Sequence, residues 1–121
     1  MKIRIKNNGL RYRLTRSEVE AFARDGFFKE KVQIGDDELT YILQRTAEAE
    51  LSASFKNNII TMLVPPNMAD EWTGTDQVGF ERKTDELHLL VEKDFTCLDE
   101  VDEDQSDNYP NPLANNYEQR N

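Results

Sequence analysis

Apolar and cationic side chains alternate through residues 2–14, "KIRIKNNGLRYRL", on either side of Asn8-Gly9. A period of two with a turn dipeptide at its centre predicts a β-hairpin. With Asn8 and Gly9 as the loop, Lys6 faces Arg11, Ile5 faces Tyr12, Arg4 faces Arg13 and Ile3 faces Leu14. The period then becomes helical. Thr15-Arg16-Ser17-Glu18 is a capping box, Val19, Phe22 and Ala23 form one apolar stripe, and Gly26 supplies a left-handed stop, which predicts a helix of about ten residues. Residues 27–34 and 39–45 read as strands joined by a turn at Gly35-Asp36-Asp37. Residues 51–55 and 59–64 form a hairpin around Asn57-Asn58, in which Phe55 faces Ile60, Ala53 faces Met62 and Leu51 faces Val64. Pro65-Pro66 ends that strand and opens a short helix towards Trp72, closed by Gly74. A last hairpin pairs residues 78–83 with 86–95 around Thr84-Asp85, with Glu81 opposite His88.

These elements give an α+β fold: hairpins assembled into one strongly twisted antiparallel sheet that can curl into a half-closed barrel, covered by one main helix and one short helix. The expected core is Ile3, Ile5, Tyr12, Leu14, Val19, Phe22, Leu51, Phe55, Ile60, Met62, Phe80, Leu89 and Val91. No internal repeat stands out. Residues 1–98 read as a single domain, and 99–121 as an acidic, largely irregular tail, since six acids and no base fall within residues 99–107.

The first hairpin carries an electrostatic problem. Its polar face holds Lys2, Arg4, Lys6, Arg11 and Arg13, and like charges directly opposite cost about 0.2–1 kcal/mol per pair, so the face calls for an anion. A net charge of -9 and a pI near 4.6 argue against a dedicated nucleic-acid binder. The counterion is therefore expected to be a small anionic ligand, an acidic protein partner, or the chain's own tail folding back. One cysteine, Cys97, and one histidine, His88, make neither a disulfide nor a His-rich zinc site. No signal segment or run of apolar residues indicates export or a membrane span, and the expected location is cytoplasmic.

Few chemical signatures are present. Asp102-x-Asp104-x-Ser106 opens like a calcium loop, but Asp107 and Leu113 stand where glycine and glutamate are required. Nucleophile elbow, P-loop, zincin and Cys-x-x-Cys patterns are absent. The leading functional reading is a small binding or interaction module, without cofactor or catalytic residues, whose site is the basic hairpin face. The alternative is a metal-dependent phosphate- or polyphosphate-handling enzyme, in which the same cations hold substrate and Glu81, Glu86 or Glu92 recruits a metal. "FERK" and "VEKD" on neighbouring strands make that sheet similar to the triphosphate tunnel enzymes, although "MKIRIK" replaces their Glu-x-Glu-x-Lys signature. The two ends together, "MKIRIKNNGLRYRLTRSEV" and "LHLLVEKDFTCL" with "DNYPNP", resemble an uncharacterised family of short bacterial proteins. That resemblance implies a domain of unknown function and assigns no catalytic residue.

Overall fold

A computed structural model describes residues 1–95 and 106–110. The chain runs β1 (Lys2–Lys6), β2 (Gly9–Leu14), α1 (Arg16–Asp25), β3 (Phe27–Ile34), β4 (Asp37–Arg45), β5 (Ser52–Lys56), β6 (Ile59–Val64), α2 (Pro66–Gly74), β7 (Gly79–Lys83) and β8 (His88–Lys93). The fold is α+β and hairpin-built, with the main helix and the short second helix where the sequence predicts them. The expected single sheet is replaced by two four-stranded sheets, ordered β1-β2-β8-β7 and β3-β4-β6-β5, and they do not close into a barrel. Each has a parallel pair at its centre, β2 with β8 and β4 with β6, flanked by antiparallel hairpin partners.

The element order strand-strand-helix-strand-strand occurs twice, contrary to the absence of a repeat in the sequence. Asn7 and Asn8 take left-handed angles at one tip and Asn57 and Asn58 at the other. The two hairpins share a register, with Ile5 opposite Leu10 and Phe55 opposite Ile60. Thr15 and Pro65 are the N-caps, and Val19 and Phe22 on α1 are buried as Ala69 and Trp72 are on α2. What recurs is turn stereochemistry, cap position and burial, while most side chains have changed, so inspection of residue identities sees little beyond "KNN". The halves are interlocked: the second hairpin of each half completes the sheet begun by the other. The residues before the two corresponding hairpins each accept a bond from the opposite sheet, the Tyr41 hydroxyl donating to the Met1 carbonyl at 2.7 Å and Arg82 donating to the Leu51 carbonyl at 3.0 Å.

The first hairpin turns at Asn7-Asn8, so its register is displaced from that expected of an Asn8-Gly9 loop. Arg4 faces Arg11, Ile5 faces Leu10 and Lys2 faces Arg13. The displacement is by two residues, which preserves both faces because side chains alternate with period two. Two asparagines satisfy the positive φ angles of the turn, and Gly9 is left to serve the strand, where an added Cβ would stand 3.0 Å from the Lys6 carbonyl oxygen. The last hairpin is displaced likewise, with Lys83 opposite His88 and Arg82 opposite Leu89. The Asn57-Asn58 hairpin has the expected register.

The capping box places the Glu18 carboxylate on the Thr15 amide at 2.8 Å, and Gly26, at φ 83°, ends α1. Phe22 and Trp72 meet edge to face with centroids 6.1 Å apart, and Trp72 meets Phe80 at 5.4 Å, so the helices share one aromatic stack over the core. Trp72 is fully buried and its indole N–H donates to the Val78 carbonyl at 3.0 Å. Most of the expected core is buried, but Ile5 and Phe55 are each 67% exposed. Both lie on the core face next to a hairpin tip, at the end of the sheets away from the helices, where no element among the described residues covers that face. Trp72→Ala should destabilise the protein by about 3–5 kcal/mol through the cavity it leaves. Urea denaturation checks this, and an unmoved midpoint would mean that the stack does not hold the helices.

Candidate anion site on the basic face

The outer face of the first sheet is a grid of side chains fixed by its ladders. One row is Lys6, Gly9, His88 and Lys83; the next is Arg4, Arg11, Leu90 and Glu81; the third is Lys2, Arg13, Glu92 and Gly79. All five predicted cations share this face. Glu92 answers two of them: one of its oxygens accepts from Nε of Arg11 at 2.7 Å and from Nε of Arg13 at 2.6 Å, and a second Arg11 nitrogen joins it. Lys2 pairs with Asp94 at 2.9 Å. Glu92 of β8 and the residue after that strand, Asp94, thus act as counterions to three of the five cations. The sequence could not show this, because the parallel pairing of β2 with β8 joins segments from opposite ends of the chain. Residues 99–105 and Cys97 lie outside the described residues.

Arg4, Lys6 and Lys83 form no ion pair among the described residues. They border a groove of about 430 Å³ with Arg11, Gly9 and His88. Gly9 contributes its floor by having no side chain. His88 Nε2 lies 2.6 Å from the Glu81 carboxylate, the acid-base contact expected between them, reached diagonally rather than directly across the ladder. The metal-enzyme alternative asks for free carboxylates, yet Glu92 is held by two arginines and Glu81 by His88. Among the described residues no group of three His, Cys, Asp or Glu side chains could hold a metal. With the sheets unclosed, the tunnel of the triphosphate enzymes is not formed.

The second sheet supplies an internal comparison. Where the first carries Lys2, Arg4, Arg11 and Arg13, the corresponding places hold Ser52, Ser54, Thr61 and Leu63; Lys6 alone is matched by a cation, Lys56, and β3 adds Lys29 and Lys31 to that face. The architecture itself therefore does not require the dense cationic ladder of the first hairpin.

The motifs quoted from the two ends of the chain meet beside this face. Asp107 accepts from the Ser17 hydroxyl at 2.5 Å and the Ser17 amide at 3.3 Å, and its carbonyl accepts from the Arg16 amide at 3.0 Å. Hydrogen bonds from Ser17 and Thr15 hold its carboxyl below the usual aspartate range. The Tyr109 amide donates to the Asp94 carbonyl at 2.8 Å. No helix among the described residues is long and apolar enough to cross a membrane.

The chain belongs to a family of unknown function (DUF7009), which it matches over residues 1–113, in keeping with its resemblance to an uncharacterised family. No curated protein and no solved structure matches it.

Two outcomes follow from this geometry. Glu92→Gln should lower stability by about 1 kcal/mol at low salt, and by less at high salt, because the pairs are partly exposed and screened; thermal melts at two ionic strengths read this. Asp107→Ala should lower the melting temperature at pH 7 by a few degrees. A depressed carboxyl stabilises the fold above the unfolded pKa and ceases to do so once protonated, so the difference from the parent should close as pH falls below the usual aspartate range.

Proposed function

We propose that this protein is a small binding module, and that its ligand is a compact, multiply charged anion of the phosphate or polyphosphate class, held by Arg4, Lys6, Arg11 and Lys83 on the outer face of the first sheet. The observation that supports the reading is the contrast between the two halves, because the first sheet's face gathers Lys2, Arg4, Lys6, Arg11, Arg13 and Lys83 where the second sheet's carries only Lys29, Lys31 and Lys56, and Arg4, Lys6 and Lys83 form no ion pair among the described residues. A guanidinium presents a planar pair of donors suited to phosphate oxygens, and the two lysines add point charges at the rim. A groove of about 430 Å³ suits a small ligand, and a net charge of -9 disfavours an extended polyanion. The lone cysteine accords with a reducing cytoplasmic setting.

Calorimetric titration with tripolyphosphate tests this. Binding should be saturable and weaken with added salt, and Arg4→Gln with Lys6→Gln should weaken it about tenfold, the equivalent of roughly 1.4 kcal/mol. Lys29→Gln with Lys31→Gln, on the second sheet, should leave it unchanged. Equal weakening by both pairs would reduce the effect to overall charge and overturn the site.

A further inference from the structure

The correspondence between the halves singles out a second place where they differ. Arg45 stands opposite Val64 in the second sheet as Lys93 stands opposite Leu14 in the first. The next residue of each strand repeats one backbone bond, the Thr46 amide to the Val64 carbonyl at 2.9 Å and the Asp94 amide to the Leu14 carbonyl at 2.8 Å. Arg45 is a clamp: its guanidinium grips Asp70 on α2 with two bonds of 2.6 and 3.1 Å. The residue of α1 that corresponds to Asp70 is Glu20, yet no ion pair joins it to Lys93. The Lys93 amine instead donates to the Thr75 carbonyl at 2.8 Å and lies 5.4 Å from the centre of the Tyr109 ring. Where one half has an exposed arginine-carboxylate pair, the other has a lysine only 6% exposed that forms no ion pair among the described residues.

That lysine lines a groove of about 590 Å³ between α1, the end of α2 and residues 109–110. Glu20 and Arg16 lie on the α1 side, Asp76 lies just after α2, and Phe95 and Tyr109 supply aromatic walls tilted at 56° to one another with centroids 5.8 Å apart. The Arg16 guanidinium sits 5.7 Å from the Tyr109 ring and forms no ion pair among the described residues. An amine, a guanidinium and an apolar wall in one concavity match three parts of one ligand class: a carbonyl, a carboxylate and an apolar substituent.

We propose that this groove binds a 2-oxo acid with an apolar or aromatic side chain, and that Lys93 holds it as a reversible imine. The neutral Nζ adds its lone pair to the keto carbon, the carbonyl oxygen takes a proton, and the resulting carbinolamine expels that oxygen as water. Nitrogen gives up two hydrogens to the water and no electron leaves the system, so neither oxidant nor reductant is required. Arg16 pairs with the ligand carboxylate, and Glu20 carries protons between nitrogen and oxygen. Burial pushes the Lys93 amine down, despite the opposing charge of Asp76, which raises the fraction of free amine at neutral pH. This site is separate from the anion groove, and either can fail without the other.

The full-length protein is incubated at pH 7 with phenylpyruvate and cyanoborohydride, which reduces an imine to a stable secondary amine, and labelled lysines are quantified by peptide mass spectrometry. Lys93 should label faster than exposed Lys29 and Lys56, in the direction that burial of its amine sets. Lys93→Arg should keep the fold, as Arg45 shows for the corresponding position, and abolish that label; should it not fold, the relative rates in the parent protein still decide. Arg16→Gln should slow labelling by phenylpyruvate about tenfold and leave labelling by acetaldehyde, which has no carboxylate, unchanged. Labelling of Lys93 no faster than of Lys29 and Lys56 would overturn the imine. Equal slowing of both probes by Arg16→Gln would overturn the oxo-acid assignment.

Discussion

The parallel ladder between β2 and β8 is the constraint on which most of the molecule depends. It joins residues 9–14 to residues 88–93, so the two ends of the described domain are held as neighbours. Three consequences follow from that one pairing. Tyr12 and Val91 are brought together in a fully buried layer. Glu92 is delivered between two arginines whose repulsion would otherwise weaken the first hairpin. Asp94 is placed where it meets both Leu14 and Tyr109, which ties the chain after β8 to the start of α1.

Local chemistry in the sequence was a good guide to local structure. The capping box, the Gly26 stop, the proline-started second helix and the Asn57-Asn58 hairpin each depend on residues within one turn of one another, and each forms as their stereochemistry requires. Asn8-Gly9 misled by one position because Asn7 tolerates the left-handed region as well, and a second asparagine freed the glycine for a strand position with no room for a Cβ. The exchange of hairpins was not legible, since parallel partners are chosen by burial across the whole domain and leave no signature at either strand. For the same reason the sequence reveals the five cations but not the acid that β8 brings to them. Nothing in "VEKDF" distinguishes a buried lysine from a solvated one, so the burial of Lys93 is visible only in the fold.

The two halves show how a doubled architecture relaxes the demands on sequence. The inner faces must fill a shared core, and there Tyr12 matches Met62, Leu14 matches Val64 and Phe22 matches Trp72 in burial if not in shape. The outer faces bear no such obligation. One carries a dense ladder of cations and the other a mixture of hydroxyl, apolar and lysine side chains, so the density of charge on the first reflects a demand other than packing.

Interlocking also imposes an order on assembly when the chain is made from its N-terminus. The second sheet has all four of its strands once Val64 has been synthesised, whereas the first must wait for residues 88–93. Until then β1 and β2 form a two-stranded ribbon with facing arginines, no acidic neighbour from β8 and little stability of its own. The earliest hairpin made is thus the last to be secured. The nascent chain carries a cationic flap on a sheet already complete, and the arrival of Glu92 both closes the fold and discharges the flap.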